Sequence, residues 1–192
     1  FAYNTAQAYI ASGMYKNVLV IGAESLSSLV DWKDRSTCIL FGDGAGAVVL
    51  RAEEGESYHM VTHSDGSKGE ALTCDTGSFM KMDGQEVFKF AVRQVPACIA
   101  EVMEHNHLMA EDIDYFILHQ ANRRIVEAVA KRMKVELTKF PMNLQEYGNT
   151  SSASIPLLLD EMNREGRLKK GQKLVLAGFG AGLSWGASLL EW

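Results

Sequence analysis

The alternation of short apolar runs with amphipathic stretches is the feature of this sequence that most constrains its fold. Residues 114–118 form a short apolar run, and residues 122–134 follow with apolar side chains at helical spacing. A second amphipathic stretch spans residues 154–164, and a second apolar run spans residues 173–177. Alternating strands and helices are typical of a sheet covered by helices, so the pattern predicts an α/β fold with a mixed sheet.

The same signals predict the other elements and one domain boundary. Helices are predicted over residues 5–12 and 85–107, and strands over residues 17–21, 36–50, 58–63 and 183–190. The run at 17–21 is expected to be a buried strand, and glycines are expected to divide 36–50 into a strand pair. Pro96 predicts a kink or a break in the long helix. The polar residues 53–56 divide the chain into domains 1–55 and 56–192.

Composition excludes several classes of protein. The 192 residues carry a net charge of −5, which argues against nucleic acid as a general partner. No apolar run is long enough to span a bilayer, so no membrane association is expected. Three cysteines without paired spacing suit a reducing cytoplasm. Cys38 and Cys98 are interpreted as small core residues and Cys74 as a loop residue.

Two segments of the second domain predict a catalytic site. Residues 117–124 indicate a strand that delivers His119 to the start of a helix, and residues 147–154 indicate a Gly-Asn turn before another helix. A neutral imidazole and the Asn149 carboxamide could both donate hydrogen bonds to a developing oxyanion. The alternatives are a buried histidine bonded to backbone, and an asparagine that serves as a turn or N-cap residue.

Five motifs, in one order along the chain, resemble those of the 3-oxoacyl-(acyl-carrier-protein) synthase III family. They lie within residues 34–47, 82–89, 117–124, 147–154 and 178–186. One motif alone would be weak, whereas the ordered set is specific. The resemblance implies a thiolase-like layered αβαβα fold. Residues 1–55 would then be the remainder of a first half, and residues 56–192 a complete second half that carries the active-site histidine and asparagine.

The resemblance also implies a reaction. Members of the family start type II fatty acid synthesis by a decarboxylating Claisen condensation of a short acyl-coenzyme A with malonyl-acyl carrier protein. His119 and Asn149 would hold the thioester enolate, and the backbone N–H of Ala181 would hold the thioester oxygen. The nucleophilic cysteine is expected just upstream of Phe1, so the chain resembles the C-terminal part of such an acyltransferase. No metal or cofactor is expected, and the family implies a homodimer.

The resemblance assigns two groups of binding residues. Those expected to contact coenzyme A and its pantetheine arm are Arg35, Gly84, Gln85, Phe88, Asn122 and Phe179. Those expected to contact the acyl carrier protein are Gln120, Arg123 and Arg124. The simpler readings are a solvated surface charge for Arg35 and a solvated basic helix face for residues 123–134. An acidic carrier protein would nevertheless be oriented by such a face.

Several alternatives stay open at this point. Polyketide-type or quinolone-type condensing enzymes share the same catalytic groups, and a chain without its nucleophile could be an inert fragment. A papain-type Cys-His-Asn hydrolase is disfavoured by the Asn149 motif and the basic face. The pair His105 and His107, like His59 and His63, is interpreted as exposed surface, not as a metal site. The acyl-coenzyme A that primes the reaction is not predicted.

Overall fold

The computed structural model describes residues 1–55 and 58–192. Its helices are α1 (Ala2–Ala11), α2 (Gly84–His105), α3 (Arg123–Met133), α4 (Leu144–Tyr147) and α5 (Ser154–Arg164). Its strands are β1 (Asn17–Ser25), β2 (Asp43–Arg51), β3 (Met60–Ser64), β4 (Leu72–Thr73), β5 (Lys81–Met82), β6 (Tyr115–Leu118), β7 (Lys173–Gly180) and β8 (Ser184–Glu191). The alternation predicted from the sequence is therefore present.

A four-stranded mixed sheet forms the centre of the molecule. Its strand order is β3-β8-β7-β6, with β6 parallel to β7 and the other pairs antiparallel. Side chains of alternate residues face opposite sides of the sheet. Phe116 and Leu118 pack with residues of α2 and α3 on one side, whereas Ile117 packs with residues of α5 on the other. The sheet is thus covered on both faces, as its continuous apolar strands require.

A second, two-stranded sheet lies beyond α5. Strands β1 and β2 pair antiparallel, and α5 packs against β2 as well as against β6 of the central sheet. The order of layers is therefore α2 with α3, the central sheet, α5, and the sheet of β1 and β2. A Cβ atom on Gly22 would lie 2.5 Å from the carbonyl oxygen of Ser152. Glycine at position 22 therefore allows the backbones of the two segments to approach closely.

The strand pair predicted over residues 36–50 is wrong in its first part. Only residues 43–51 form a strand, and residues 35–40 form turns. The Asp34 carboxylate explains the difference, because it accepts hydrogen bonds from the backbone and hydroxyl of Ser36 and from the hydroxyl of Thr37. Such side-chain bonds compete with strand formation. Cys38 accordingly lies half-buried in this turn, whereas Cys98 is buried as predicted.

Two further expectations need correction. Strand β1 is not buried on both faces, because Leu19 and Ile21 are 58% and 60% exposed on the face opposite α5. Helix α2 continues through Pro96, so the break is absent, whereas the kink predicted as the other possibility stays a prediction. The predicted boundary between residues 55 and 56 borders Glu56 and Ser57, which lie outside the described residues, so the division into domains stays a prediction.

Within the described part of the chain, every helix is too short or too polar to cross a membrane.

Candidate active site

His119 follows the carboxyl end of strand β6 in the central sheet, in the loop that leads to α3. Its N–H donates to the carbonyl of Ala177 at 2.8 Å, which extends the parallel pairing of β6 and β7 by one residue. The Asn122 side chain then caps α3 by accepting a hydrogen bond from the Arg124 N–H at 2.8 Å. The strand and the capped helix together fix the position of the imidazole, as the sequence predicts.

The surroundings of His119 keep its imidazole neutral. Burial lowers the pKa of His119 from 6.5 to about 4, because few water molecules can solvate the charged ring. Its ring and that of Phe179 meet edge to face, with ring centroids 5.2 Å apart. Its Nδ1 atom lies 2.7 Å from the Ser154 hydroxyl. At neutral pH the ring is therefore an uncharged hydrogen-bonding group.

Asn149 is held against the segment that precedes β2. Its N–H donates to the Leu40 carbonyl at 2.8 Å, and its carbonyl accepts from the Gly42 N–H at 2.9 Å. These bonds form an isolated parallel bridge between Phe41 and Asn149. Only glycine fits at position 42, because a Cβ atom there would lie 2.2 Å from the Tyr147 carbonyl oxygen. The backbone of Asn149 is thus positioned by residues more than a hundred positions upstream.

The Asn149 side chain is oriented by its own turn. Its Oδ1 atom accepts a hydrogen bond from the Ser151 N–H at 2.9 Å. This bond closes a turn in which the side chain of Asn149 accepts from the backbone two residues later, and Ser151 itself adopts a left-handed conformation with φ of 49°. Since the oxygen is engaged, the NH₂ group is the end of the amide left to donate into the cleft.

A cleft of about 900 Å³ brings most of the predicted site residues together. His119 and Asn149 both line it. The predicted binding residues that line the same cleft are Gly84, Gln85, Phe88, Asn122, Arg124 and Phe179. The Arg124 guanidinium lies 5.4 Å from the centre of the Phe88 ring. The lining combines apolar side chains with polar and charged ones, which suits a flexible chain that carries amides.

A second recess of about 380 Å³ adjoins the cleft at His119. Three residues, His119, Phe179 and Gly180, line both cavities. Ala181 lines the second recess, as do Phe1 and the first three residues of α1. The imidazole therefore lies between the cleft and the amino-terminal end of α1.

Three predicted binding residues lie outside the cleft. Arg35 is exposed and does not line it. Arg123 points along α3 and pairs with Glu127 at 2.7 Å. The carrier-protein contact predicted for Gln120 is wrong, because this side chain is only 1% exposed. Its amide instead donates to the Leu118 carbonyl and accepts from the Asn143 N–H, which makes it an internal support of the site.

Sequence reasoning missed one residue that contacts the imidazole directly. Ser154 is the first residue of α5, and its place at the end of the motif 147–154 and at the start of a helix predicts no contact with His119. Its hydroxyl lies against both His119 and the Gln120 N–H. The serine does occur five residues after Asn149 in the same motif, but spacing cannot reveal a contact across 35 positions.

The histidines outside the site are on the surface, as predicted. His59, His63, His105 and His107 are all exposed. His63 pairs with Glu101 at 2.8 Å. In the ranges 1–55 and 58–192 no cluster of three or more His, Cys, Asp and Glu side chains could hold a metal ion.

Comparison with known families gives two matches that cover most of the chain. Residues 1–69 match the family model described as 3-oxoacyl-[acyl-carrier-protein (ACP)] synthase III. Residues 103–192 match the model described as the C terminal of the same synthase. His119, Asn149 and Ala181 fall in the second matched segment, and Arg35 falls in the first.

Individual relatives agree with the family models. A beta-ketoacyl-[acyl-carrier-protein] synthase III of Clostridium acetobutylicum is 47% identical over 207 aligned residues, which cover 100% of this chain and 64% of the relative. The crystal structure of the 3-oxoacyl-[acyl-carrier-protein] synthase III from Aquifex aeolicus is 46% identical, with a TM-score of 0.96 over 100% of this chain and 63% of that one.

An enzyme of polyketide synthesis has the same fold. The crystal structure of the priming beta-ketosynthase from the R1128 polyketide pathway is 33% identical, with a TM-score of 0.93 over 99% of this chain and 61% of that one. The present chain thus spans less than two thirds of the length of these proteins. The structural similarity confirms the predicted class, a thiolase-like α/β fold.

Proposed function

Because this chain belongs to the 3-oxoacyl-(acyl-carrier-protein) synthase III family, we propose that the protein containing it starts fatty acid synthesis. It would condense a short acyl-coenzyme A with malonyl-acyl carrier protein to give a 3-oxoacyl-carrier protein. The observation that carries the proposal is the meeting of His119 and Asn149 in one cleft, with a neutral imidazole and an amide whose oxygen is already engaged.

The first half-reaction loads an acyl group onto a cysteine. This cysteine precedes Phe1, and the residues that open α1 line the recess next to His119. The positive end of α1 favours the thiolate form of a cysteine placed there. The thiolate attacks the acyl-coenzyme A carbonyl, and the coenzyme A thiolate leaves. The Ala181 N–H, together with that of the cysteine, stabilises the tetrahedral oxyanion.

The second half-reaction forms the carbon–carbon bond. Malonyl-carrier protein loses carbon dioxide, and the electrons of the broken bond move onto the thioester as an enolate. The imidazole of His119 and the NH₂ of Asn149 donate hydrogen bonds to the enolate oxygen. The enolate carbon attacks the acyl-cysteine and releases the cysteine thiolate. Both donors stay uncharged at neutral pH, so neither has to lose a proton before the next cycle.

The cleft accommodates the arm that delivers each substrate. Phe88, Phe179 and Gly84 would line the pantetheine chain, and the side chains of Gln85 and Asn122 would bond its amides. Arg124, beside Phe88, would meet the acidic carrier protein together with Arg123, the residue before it in α3. Arg35 lies outside the cleft, so its proposed contact is with the adenine end of coenzyme A. The scheme needs no metal or redox cofactor, and we propose a cytoplasmic homodimer.

The test uses the protein with the segment that precedes Phe1. We expect its intact mass to gain one acyl group on incubation with acetyl-coenzyme A, and 3-oxoacyl-carrier protein to form when malonyl-carrier protein is added. His119→Ala and Asn149→Ala should keep the acylation and lose the condensation. A protein that takes up no acyl group from any acyl-coenzyme A would contradict the proposal and favour an inert fragment.

The second candidate is a priming synthase of a polyketide pathway, which the likeness to the R1128 enzyme supports. The chemistry would be the same and the acyl donor different. Initial rates with a series of straight and branched acyl-coenzyme A donors separate the two. A preference for acetyl or short branched donors supports fatty acid synthesis, and a preference for other starter units supports polyketide synthesis.

A further inference from the structure

The Ser154 hydroxyl occupies a buried position between two groups of the site. The residue begins α5 and is only 2% exposed. Its Oγ atom lies 2.7 Å from Nδ1 of His119 and accepts a hydrogen bond from the Gln120 N–H at 3.2 Å. Ser154 thus joins α5 to the loop that follows β6.

The available donors and acceptors fix the direction of the hydrogen bond between the Ser154 hydroxyl and Nδ1 of His119. The Gln120 N–H can only donate, so it uses one acceptor position of Oγ. In the described part of the chain, the hydrogen bonds of this hydroxyl are those to Gln120 and His119. If Nδ1 carried the imidazole proton, the hydroxyl would accept twice and its own hydrogen would have no partner. A buried donor without a partner is unfavourable, so Ser154 donates to Nδ1.

We propose that Ser154 is a positioning residue that holds His119 in the tautomer with its proton on Nε2. With Nδ1 occupied as an acceptor, a neutral ring must carry its hydrogen on the other nitrogen. The Nε2–H then donates to the enolate oxygen, whereas the opposite tautomer would present a lone pair to that negative charge. This inference rests on the proposed function for its catalytic consequence, but the tautomer itself does not depend on it.

The neighbouring hydrogen bonds keep Ser154 in place. The Gln120 side chain accepts from the Asn143 N–H at 3.2 Å and donates to the Leu118 carbonyl at 2.8 Å. Gln120 is therefore held from both ends of its amide, and its N–H stays directed at Oγ. This arrangement gives the buried Gln120 a function other than contact with a carrier protein.

The test reads the tautomer directly by nuclear magnetic resonance. The full-length enzyme is labelled with ¹⁵N in its imidazole rings, and the His119 signals are assigned by their loss in His119→Gln. We expect a protonated Nε2 and an unprotonated Nδ1 in the wild type and in Ser154→Thr, which keeps the hydroxyl. Ser154→Ala should populate both tautomers. Ser188→Ala is the matched control, because its buried hydroxyl bonds to Asn4 and not to a histidine.

Kinetics supply the catalytic consequence. In Ser154→Ala we expect condensation to slow about tenfold, the loss caused by one weakened hydrogen bond at the transition state. Acyl transfer from acyl-coenzyme A to the cysteine should not change, and Ser154→Thr should restore condensation. A variant that merely folds badly would lose both half-reactions and melt at a lower temperature.

Two results would overturn the inference. One is a wild-type spectrum with the proton on Nδ1 of His119. The other is a Ser154→Ala variant with the wild-type tautomer and unchanged condensation. A wrong proposed function would give a different result. Neither the wild type nor any variant would then catalyse the condensation, whereas the ¹⁵N spectrum would still report the tautomer of His119.

Discussion

At the scale of single residues, the site depends on a histidine that stays neutral because it is buried. In the unfolded chain its pKa returns to about 6.5, while in the folded protein burial holds the pKa of His119 at about 4. Between these two values the unfolded chain binds a proton that the folded protein does not. The contribution of His119 to stability is therefore complete above pH 6.5 and is lost progressively as the pH falls toward 4.

We expect the free energy of unfolding to reveal this loss. Between pH 7 and pH 5 it should fall more in the wild type than in His119→Gln, by up to about 2 kcal/mol. Urea titrations of both proteins at the two pH values measure the difference. Parallel shifts in the two proteins would show that His119 is protonated as easily in the folded state as in the unfolded state.

The orientation of the Asn149 amide gives a second residue-scale prediction. Asn149→Asp keeps the size and the oxygen that accepts from Ser151, but it replaces the NH₂ donor with a carboxylate oxygen. We expect condensation to fall at least about a hundredfold, because the new charge faces the enolate oxygen. Acylation of the cysteine should persist in a single-turnover assay. Asn163→Asp, on the exposed side of α5, controls for the added charge, and an equal loss in both would contradict the assignment.

The residues of the site divide into those that a sequence can reveal and those that it cannot. His119 and Asn149 stand in motifs, and the lining residues Phe88 and Phe179 follow from the same resemblance. Gln120 and Ser154 are different, because their importance comes from hydrogen bonds between distant segments. The spacing of a motif shows neither whether a residue is buried nor which group it bonds to. For this reason the carrier-protein contact of Gln120 was predicted wrongly.

At the scale of elements, close backbone packing joins β1 to the turn that precedes α5. Gly22→Ala places a methyl group against the Ser152 carbonyl, and backbone cannot move aside as a flexible side chain can. We expect a loss of about 2–3 kcal/mol in the free energy of unfolding. Gly66→Ala is the matched control, because a Cβ atom there meets nothing within 4 Å. Equal melting temperatures for the two variants would show that β1 and this turn can move apart without cost.

A lysine supports the turn that leads into β6. The Lys139 ammonium donates to the carbonyls of Ala110, Glu111 and Ile113 at 2.6 to 3.3 Å. Lys139→Met keeps the length of the side chain but removes these charge-assisted bonds, so we expect a loss of about 2 kcal/mol. Chemical denaturation measures it against Lys131→Met, an exposed position on α3. A loss no larger than in the control would mean that water replaces the lysine.

Elements with long periodic patterns were predictable, and elements decided by local side chains were not. Helices α2, α3 and α5 follow from apolar spacing, and β6 and β7 follow from short apolar runs. The segment before β2 was mistaken for a strand because its apolar residues conceal the turn made by Asp34. The exposure of one face of β1 could not be predicted either, because it depends on which layer packs there.

At the scale of the whole molecule, charge at the cleft mouth distinguishes two adjacent arginines. Arg124 lies over Phe88 beside the cleft, while Arg123 is paired with Glu127. We expect Arg124→Gln to raise the KM for malonyl-carrier protein about five- to tenfold, and Arg123→Gln to raise it less. Steady-state rates at low and high salt measure this, because screening should reduce the difference. Equal effects of the two variants would place the carrier protein elsewhere.

The arrangement of layers was predictable only in outline. Alternation predicts helices on both faces of a mixed sheet, and the four layers confirm that much. The packing of α5 between two sheets depends on glycine contacts such as that of Gly22, whose partner lies far along the chain. Family resemblance supplied this arrangement where periodicity could not.

The bridge between Phe41 and Asn149 also has a consequence for how such a protein is inherited. Asn149 is encoded in one stretch of the gene. Residues 40–42, which hold its backbone, are encoded in another. Recombination between the two stretches would pass on the asparagine without the segment that positions its backbone. A change in residues 40–42 would therefore displace the Asn149 amide even where the asparagine itself is kept.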